Sequence, residues 1–85
     1  MDISRAQQRI LHLLAQGGHI VLKRDDETKA VELDCITREG WRYGAIDLDL
    51  FRKLKRLRAV ASLNGSPYRI TRRGLELVRS QLNNR

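Results

Sequence analysis

The sequence predicts an α+β fold in which helix, β-hairpin, basic helix, β-hairpin and helix follow one another in a single domain, residues 1–85. Three observations predict it. Apolar residues recur at helical spacing in three separate stretches. Two pairs of aliphatic and β-branched runs flank turn-forming segments, Asp25-Asp26-Glu27-Thr28 and Asn64-Gly65-Ser66-Pro67. The chain has 85 residues, 41% hydrophobic and 32% charged, a globular composition too short for two cores.

Ser4-x-x-Gln7 is a capping-box pattern, preceded by Ile3 as one half of a hydrophobic staple, and the run closes at Gly17-Gly18. This places a first helix over about Ser4–Gln16, with Ile10, Leu13 and Leu14 sharing a face with Ala6. His19–Arg24 and Lys29–Ile36 read as the first hairpin. In its second strand Val31, Leu33 and Cys35 alternate with Glu32 and Asp34, which sends the one cysteine toward the core. Residues 37 to 46 contain two glycines and no clear period, and are expected to form a loop.

The second helix is the most informative element. Asp47 is a candidate N-cap and Asp49 adds favourable negative charge to the first turn; Leu50, Phe51, Leu54 and Leu57 then recur with helical spacing as far as Arg58. Between them stand Arg52, Lys53, Lys55, Arg56 and Arg58. Twelve residues rise about 18 Å, enough to lie in a DNA major groove and touch both flanking backbones.

Val60–Leu63 and Tyr68–Thr71 flank Asn64-Gly65, a strong short-range hairpin signal. Thr71 then caps a last helix, about Arg72–Leu82, with Leu75, Val78 and Leu82 as its buried stripe. A basic helix, a tight hairpin and a closing helix form a winged-helix-like order, although a hairpin and a loop stand where winged helices place a helix-turn-helix.

Charge is distributed unevenly. Residues 1 to 44 carry seven basic and seven acidic side chains, whereas residues 45 to 85 carry ten and three, so the second half holds the entire net charge of +7. Between Asp49 and Glu76 there is no acid, leaving Arg52, Lys55, Arg56 and Arg58 without an i,i+4 partner. A solvated outer face accounts for such a pattern in many amphipathic helices; an anionic partner, nucleic acid above all, accounts for it equally. The candidate contacts to nucleic acid or another anionic partner are Arg52, Lys53, Lys55, Arg56, Arg69, Arg72 and Arg73.

A second candidate set is Arg38, Trp41, Arg42 and Tyr43, because Trp, Tyr and Arg are enriched at protein-binding hot spots. The competing reading is that Trp41 anchors its loop by tucking into the core. No metal site is expected, since His12, His19 and Cys35 lack ligand spacing, and no cofactor site either, because Gly17-Gly18 follows a helix instead of opening one. The chain is expected not to be an enzyme: His12 and Arg9 could serve a ribonuclease, but no poised acid–base set accompanies them. With no apolar run of 18 residues and no signal-peptide pattern, a soluble cytoplasmic protein without membrane contact is expected.

The order of several short motifs carries a closer resemblance. Ser4-x-x-Gln7-x-Arg9-x-Leu11-His12-x-Leu14-Ala15-x-Gly17-Gly18 is followed by Thr37-Arg38-Glu39-Gly40 and Phe51-Arg52-Lys53-Leu54. Gly65-x-Pro67-Tyr68-Arg69-Ile70 and Val78-Arg79-x-Gln81-Leu82-x-Asn84-Arg85 complete the series. In order and total length the chain resembles the YjhX family of small bacterial toxins. The resemblance implies the toxin of a toxin–antitoxin pair, an inhibitor of DNA topoisomerase I, relieved by an antitoxin protein.

Overall fold

The computed structural model describes residues 3–28 and 31–83. Its elements are α1 (Arg5–Ala15), β1 (His19–Arg24), β2 (Val31–Ile36), β3 (Arg42–Ala45), α2 (Leu48–Arg56), β4 (Val60–Ala61), β5 (Arg69–Ile70) and α3 (Arg72–Asn83). These make a small α+β structure with one antiparallel sheet in the order β1-β2-β3 and a second of β4 and β5.

The capping box opens α1 as the sequence predicts: Ser4 Oγ accepts the Gln7 amide at 3.1 Å, and Gln7 Oε1 accepts the Ser4 amide at 2.8 Å. The buried stripe is rotated from the expected one. Gln7, Ile10, Leu11 and Leu14 face inward, whereas Ala6 is exposed and Leu13 half-buried. Gln7 tolerates burial because its carbonyl is already satisfied by the N-cap amide, freeing its methylenes to pack. Ile3 joins the core and has no staple partner, since the residue four places into the helix is the polar Gln8.

In the first hairpin Leu22 faces Leu33 and Lys23 faces Glu32. Its turn is fastened by Asp25, whose Oδ1 accepts the Glu27 amide at 2.9 Å and the Thr28 amide at 3.4 Å, holding that carboxyl below its ordinary pKa. Lys29 and Ala30, expected to start the second strand, lie outside the described residues.

The expectation of a loop over residues 37 to 46 is corrected. Residues 42 to 45 form β3 and pair with β2, Asp34 opposite Ala45 and Cys35 opposite Gly44, with a register shift before Ile36 opposite Arg42. A strand of four residues with an internal glycine and a bulge has too few positions to display a period of two. Only Thr37 to Trp41 turns, closed by Thr37 N–H on the Trp41 carbonyl at 2.8 Å and Trp41 N–H on Thr37 Oγ1 at 3.0 Å.

Asp47 caps α2, as expected, but the helix stops at Arg56 instead of Arg58. The amide of Ala59 bonds the Leu54 carbonyl at 3.0 Å and that of Arg58 bonds Lys55 at 2.9 Å, the paired bonds of a Schellman ending. Glycine normally occupies the left-handed position of that motif; here it is Arg58, at φ 59°. A side chain in this conformation costs about 1–2 kcal/mol, and a cation near the helix C-terminus returns about 0.3–1 kcal/mol.

Asn64 (φ 54°) and Gly65 (φ 79°) form the tight turn of the second hairpin, with Ser66 N–H on the Leu63 carbonyl at 3.0 Å. The hairpin is shorter than predicted, two paired residues per strand. Pro67 has no amide to donate, and the hydroxyls of Ser62 and Ser66 bond to the carbonyls of Ser66 and Leu63. Tyr68 instead exchanges two backbone bonds of 2.8 Å with Ile20, seating this hairpin on the edge of β1.

Thr71 caps α3, its Oγ1 accepting the Gly74 amide at 3.1 Å. Among the described side chains of α3, Gly74, Leu77 and Val78 are buried, correcting the stripe built on Leu75, which is only half-buried; the side chain of Leu82 lies outside the described residues. Gly74 lets the first turn of α3 press on the α2–β4 corner: a Cβ there would stand 2.4 Å from the Ala59 carbonyl oxygen and 2.6 Å from Ile70 Cγ1. The same corner is tied by Thr71 N–H to the Ala59 carbonyl at 2.9 Å and by Thr71 Oγ1 to the Arg58 carbonyl at 2.6 Å. Leu11, Leu14, Ile20, Cys35 and Leu54 are fully buried where the helices meet the sheet.

Candidate functional site

Two features of α2 put cations in solvent. Phe51 and Leu54 are buried and Leu50 and Leu57 pack against the core, which leaves Arg52, Lys53, Lys55 and Arg56 exposed, as the helical spacing predicts. The acids of the helix start do not reach them: Asp47 Oδ1 accepts the Asp49 amide at 3.4 Å, and among the described residues no ion pair engages Arg52, Lys53, Lys55, Arg56 or Arg58. Arg52 and Arg56 stand at i,i+4, a like-charge arrangement that slightly disfavours the helix.

Lys55 is held differently from the others. Its Nζ lies 5.6 Å from the ring centroids of both Phe51 and Tyr68, which meet edge to face at 4.9 Å and 88°. The ammonium is thereby drawn to the base of the second hairpin. There a cleft of about 370 Å³ is lined by Arg24, Lys55, Ser62, Ser66, Pro67 and Tyr68. Sequence reasoning did not bring Arg24 to this place, because only the Tyr68–Ile20 pairing sets β1 beside the hairpin.

Tyr68 is half-buried and Arg69 exposed, as their alternation predicts. Arg72 and Arg73 are exposed on the first turn of α3, and Arg73 Nη1 lies 3.6 Å from Glu76 Oε2, a surface pair of small energetic weight. Arg58, one of the helix-two cations in the sequence, lies outside the seven candidate contacts. The signal that points to it is the lack of a glycine between the end of the α2 pattern and the Val60 strand.

The second candidate set lies on and before β3. Trp41 is 73% exposed and Tyr43 49% exposed, so the tryptophan does not anchor its segment in the core. Arg42 is committed to the sheet, with Nη2 at 3.0 Å and Nε at 3.1 Å from Asp34 Oδ1. Arg38 is exposed, with the carbons of its stem beside Gly17. The two sets occupy different elements and do not merge into one site.

His12 shares a cleft of about 500 Å³ with Arg5, Gln8 and Arg9, all on α1, and among the described residues no carboxylate orients its ring. Cys35 is fully buried, and desolvation pushes its thiol from 9.0 up to about 11, leaving it protonated near neutrality. The unfolded chain gives up this proton at lower pH than the folded one, so stability falls as pH rises from about 9 to 11, by about 2–3 kcal/mol for this group. Urea unfolding of wild type and Cys35→Ala across that range should diverge accordingly; parallel pH profiles would contradict the desolvated thiol. Among the described residues no helix is long and apolar enough to cross a membrane.

Comparison with known proteins agrees over the whole chain. Residues 1–85 match the YjhX toxin family, described as "Putative toxin of bacterial toxin-antitoxin pair". A UPF0386 protein of Rhizobium johnstonii is 67% identical over 85 residues, covering all of both chains. UPF0386 proteins of Chelativorans sp. and Hyphomonas neptunium are 62% identical over 85 residues (all of both chains) and 66% identical over 84 residues (99% of each). No solved structure matches the chain.

Proposed function

The chain belongs to the YjhX toxin family, and from that premise we propose that it is a toxin that stops DNA topoisomerase I from relaxing supercoils, by non-covalent binding to the enzyme, its DNA or both. The toxin–antitoxin pairing implies an antitoxin partner that relieves the block. The action is that of an inhibitor and not of an enzyme, and its place is the cytoplasm, where the chromosome is.

The observation that carries the reading is the row Arg52, Lys53 and Arg56 on α2, exposed and without acidic partners. Unneutralised cations on a rigid helix attract a polyanion and raise its association rate. The exposed Trp41 and Tyr43 supply the rigid aromatic contacts a protein partner takes, so enzyme and template would be met by different surfaces.

Inducible expression in a bacterial host tests this. With topoisomerase I blocked, a reporter plasmid should be recovered more negatively supercoiled than from uninduced cells, and co-expression of the antitoxin should restore it. An unchanged linking-number distribution at full expression would overturn the proposal.

A second reading is favoured by the order of elements. A basic helix facing solvent, then a hairpin seated beside it and a closing helix, is winged-helix-like, and supports a DNA-binding regulator that uses α2 and the hairpin. Such a protein would bind duplex DNA with strong salt dependence in the absence of any enzyme.

A further inference from the structure

We propose that Arg58 is a phosphate contact of this surface, held outside α2 by the corner that joins α2 to β4. The inference rests on the reading that DNA is among the targets.

Arg58 occupies a position where glycine would be free of strain, at φ 59°, and its side chain is exposed. Its charge beside the helix C-terminus offsets only part of that strain, and nothing else the side chain does within the fold accounts for it: among the described residues it makes no ion pair and no hydrogen bond, and only its backbone is used. That backbone is over-determined. The Arg58 amide bonds Lys55, its carbonyl accepts the Thr71 hydroxyl at 2.6 Å, and the next residue is clamped between the Leu54 carbonyl and the Thr71 amide, with Gly74 pressed against it. Strained residues persist where their surroundings fix them, and they gather at functional positions.

The corner also decides which cations can act together. Arg52 and Arg56 point away from the core along α2, and Arg58 stands just past its last turn. The bonds to Thr71 bring the first turn of α3, with exposed Arg72 and Arg73, to the same corner. An arginine whose backbone is held on the tight turn between α2 and β4 presents its planar, bidentate guanidinium to a phosphodiester from a fixed base, as one on a mobile loop would not. The duplex backbone is therefore the partner this placement fits, with phosphates spaced along a rigid rod.

The test is fluorescence anisotropy of a labelled 20-base-pair duplex, about 20 bp being long enough to span the surface, over a salt series from about 50 to 200 mM. Arg58→Gly removes the side chain from a position that glycine adopts freely, so the fold should survive, and circular dichroism reports that. The proposal predicts weaker binding for Arg58→Gly, with the slope of log K against log salt shallower by about 0.9, and a slope near wild type for Arg58→Lys. If Arg58→Gly binds as wild type while Arg52→Ala is weakened, the proposal is overturned and the DNA reading stands. If wild-type protein does not bind the duplex, both are overturned.

Discussion

Gly74→Ala is expected to destabilise the fold by about 1–3 kcal/mol, against the about 4–13 kcal/mol usual for a chain of this size. The sign makes the experiment decisive. In an ordinary helical position the change from glycine to alanine gains up to about 1 kcal/mol, because alanine loses less backbone freedom on folding. Here the new methyl would meet the Ala59 carbonyl oxygen at 2.4 Å and Ile70 Cγ1 at 2.6 Å, and the first of these is backbone that cannot rotate away. Either α3 shifts off the α2–β4 corner or the corner itself opens, and both routes strain the Thr71 bond to Arg58. Thermal unfolding followed by circular dichroism should show a Tm lower by about 4 °C or more. A Tm equal to or above wild type would mean that α3 does not press on Ala59.

The second large effect is electrostatic. Replacing Arg52 and Arg56 together by alanine should leave stability unchanged or slightly raised, since both are exposed and the two repel each other at i,i+4. If α2 and Arg58 beyond it track a duplex backbone through about five cations, log K falls with log salt at a slope near −4.5; losing two contacts flattens it by about 1.8. Anisotropy over a salt series reads this directly. An unchanged slope with unchanged affinity would assign the α2 face to solvation alone.

What the sequence reveals and hides follows from the range of the interactions involved. Ser4, Asp47 and Thr71 announce their helices because capping is a contact within three residues, and Asn64-Gly65 announces its turn for the same reason. The outward row on α2 is legible because four apolar and four basic residues obey one period. Local pattern fails where partners come from far along the chain. β3 exists through its pairing with β2, and its glycine and bulge leave no alternation to read. The stripes of α1 and α3 turn by a residue because the sheet and the α2–β4 corner, not the helices alone, select the faces buried. Arg24 and Lys55 share a cleft only because Tyr68 pairs with Ile20, 48 positions away. Arg58 is legible in the sequence only as one more basic residue of the second helix; what sets it apart is a backbone angle fixed by bonds to Leu54, Lys55 and Thr71. Trp41 shows the opposite limit: the sequence allowed both a core anchor and a contact residue, and its exposure decides against the anchor.

Under the proposed function this chain halts relaxation of supercoiled DNA by topoisomerase I. The most direct measurement is relaxation of negatively supercoiled plasmid by the purified bacterial enzyme, titrating this protein at several fixed ratios of enzyme to DNA. Inhibition should reach completion, with a midpoint following enzyme concentration if Trp41 and Tyr43 dock on the enzyme, or DNA concentration if α2 occupies the template. Full relaxation at every ratio, with protein in excess over both components, would contradict it.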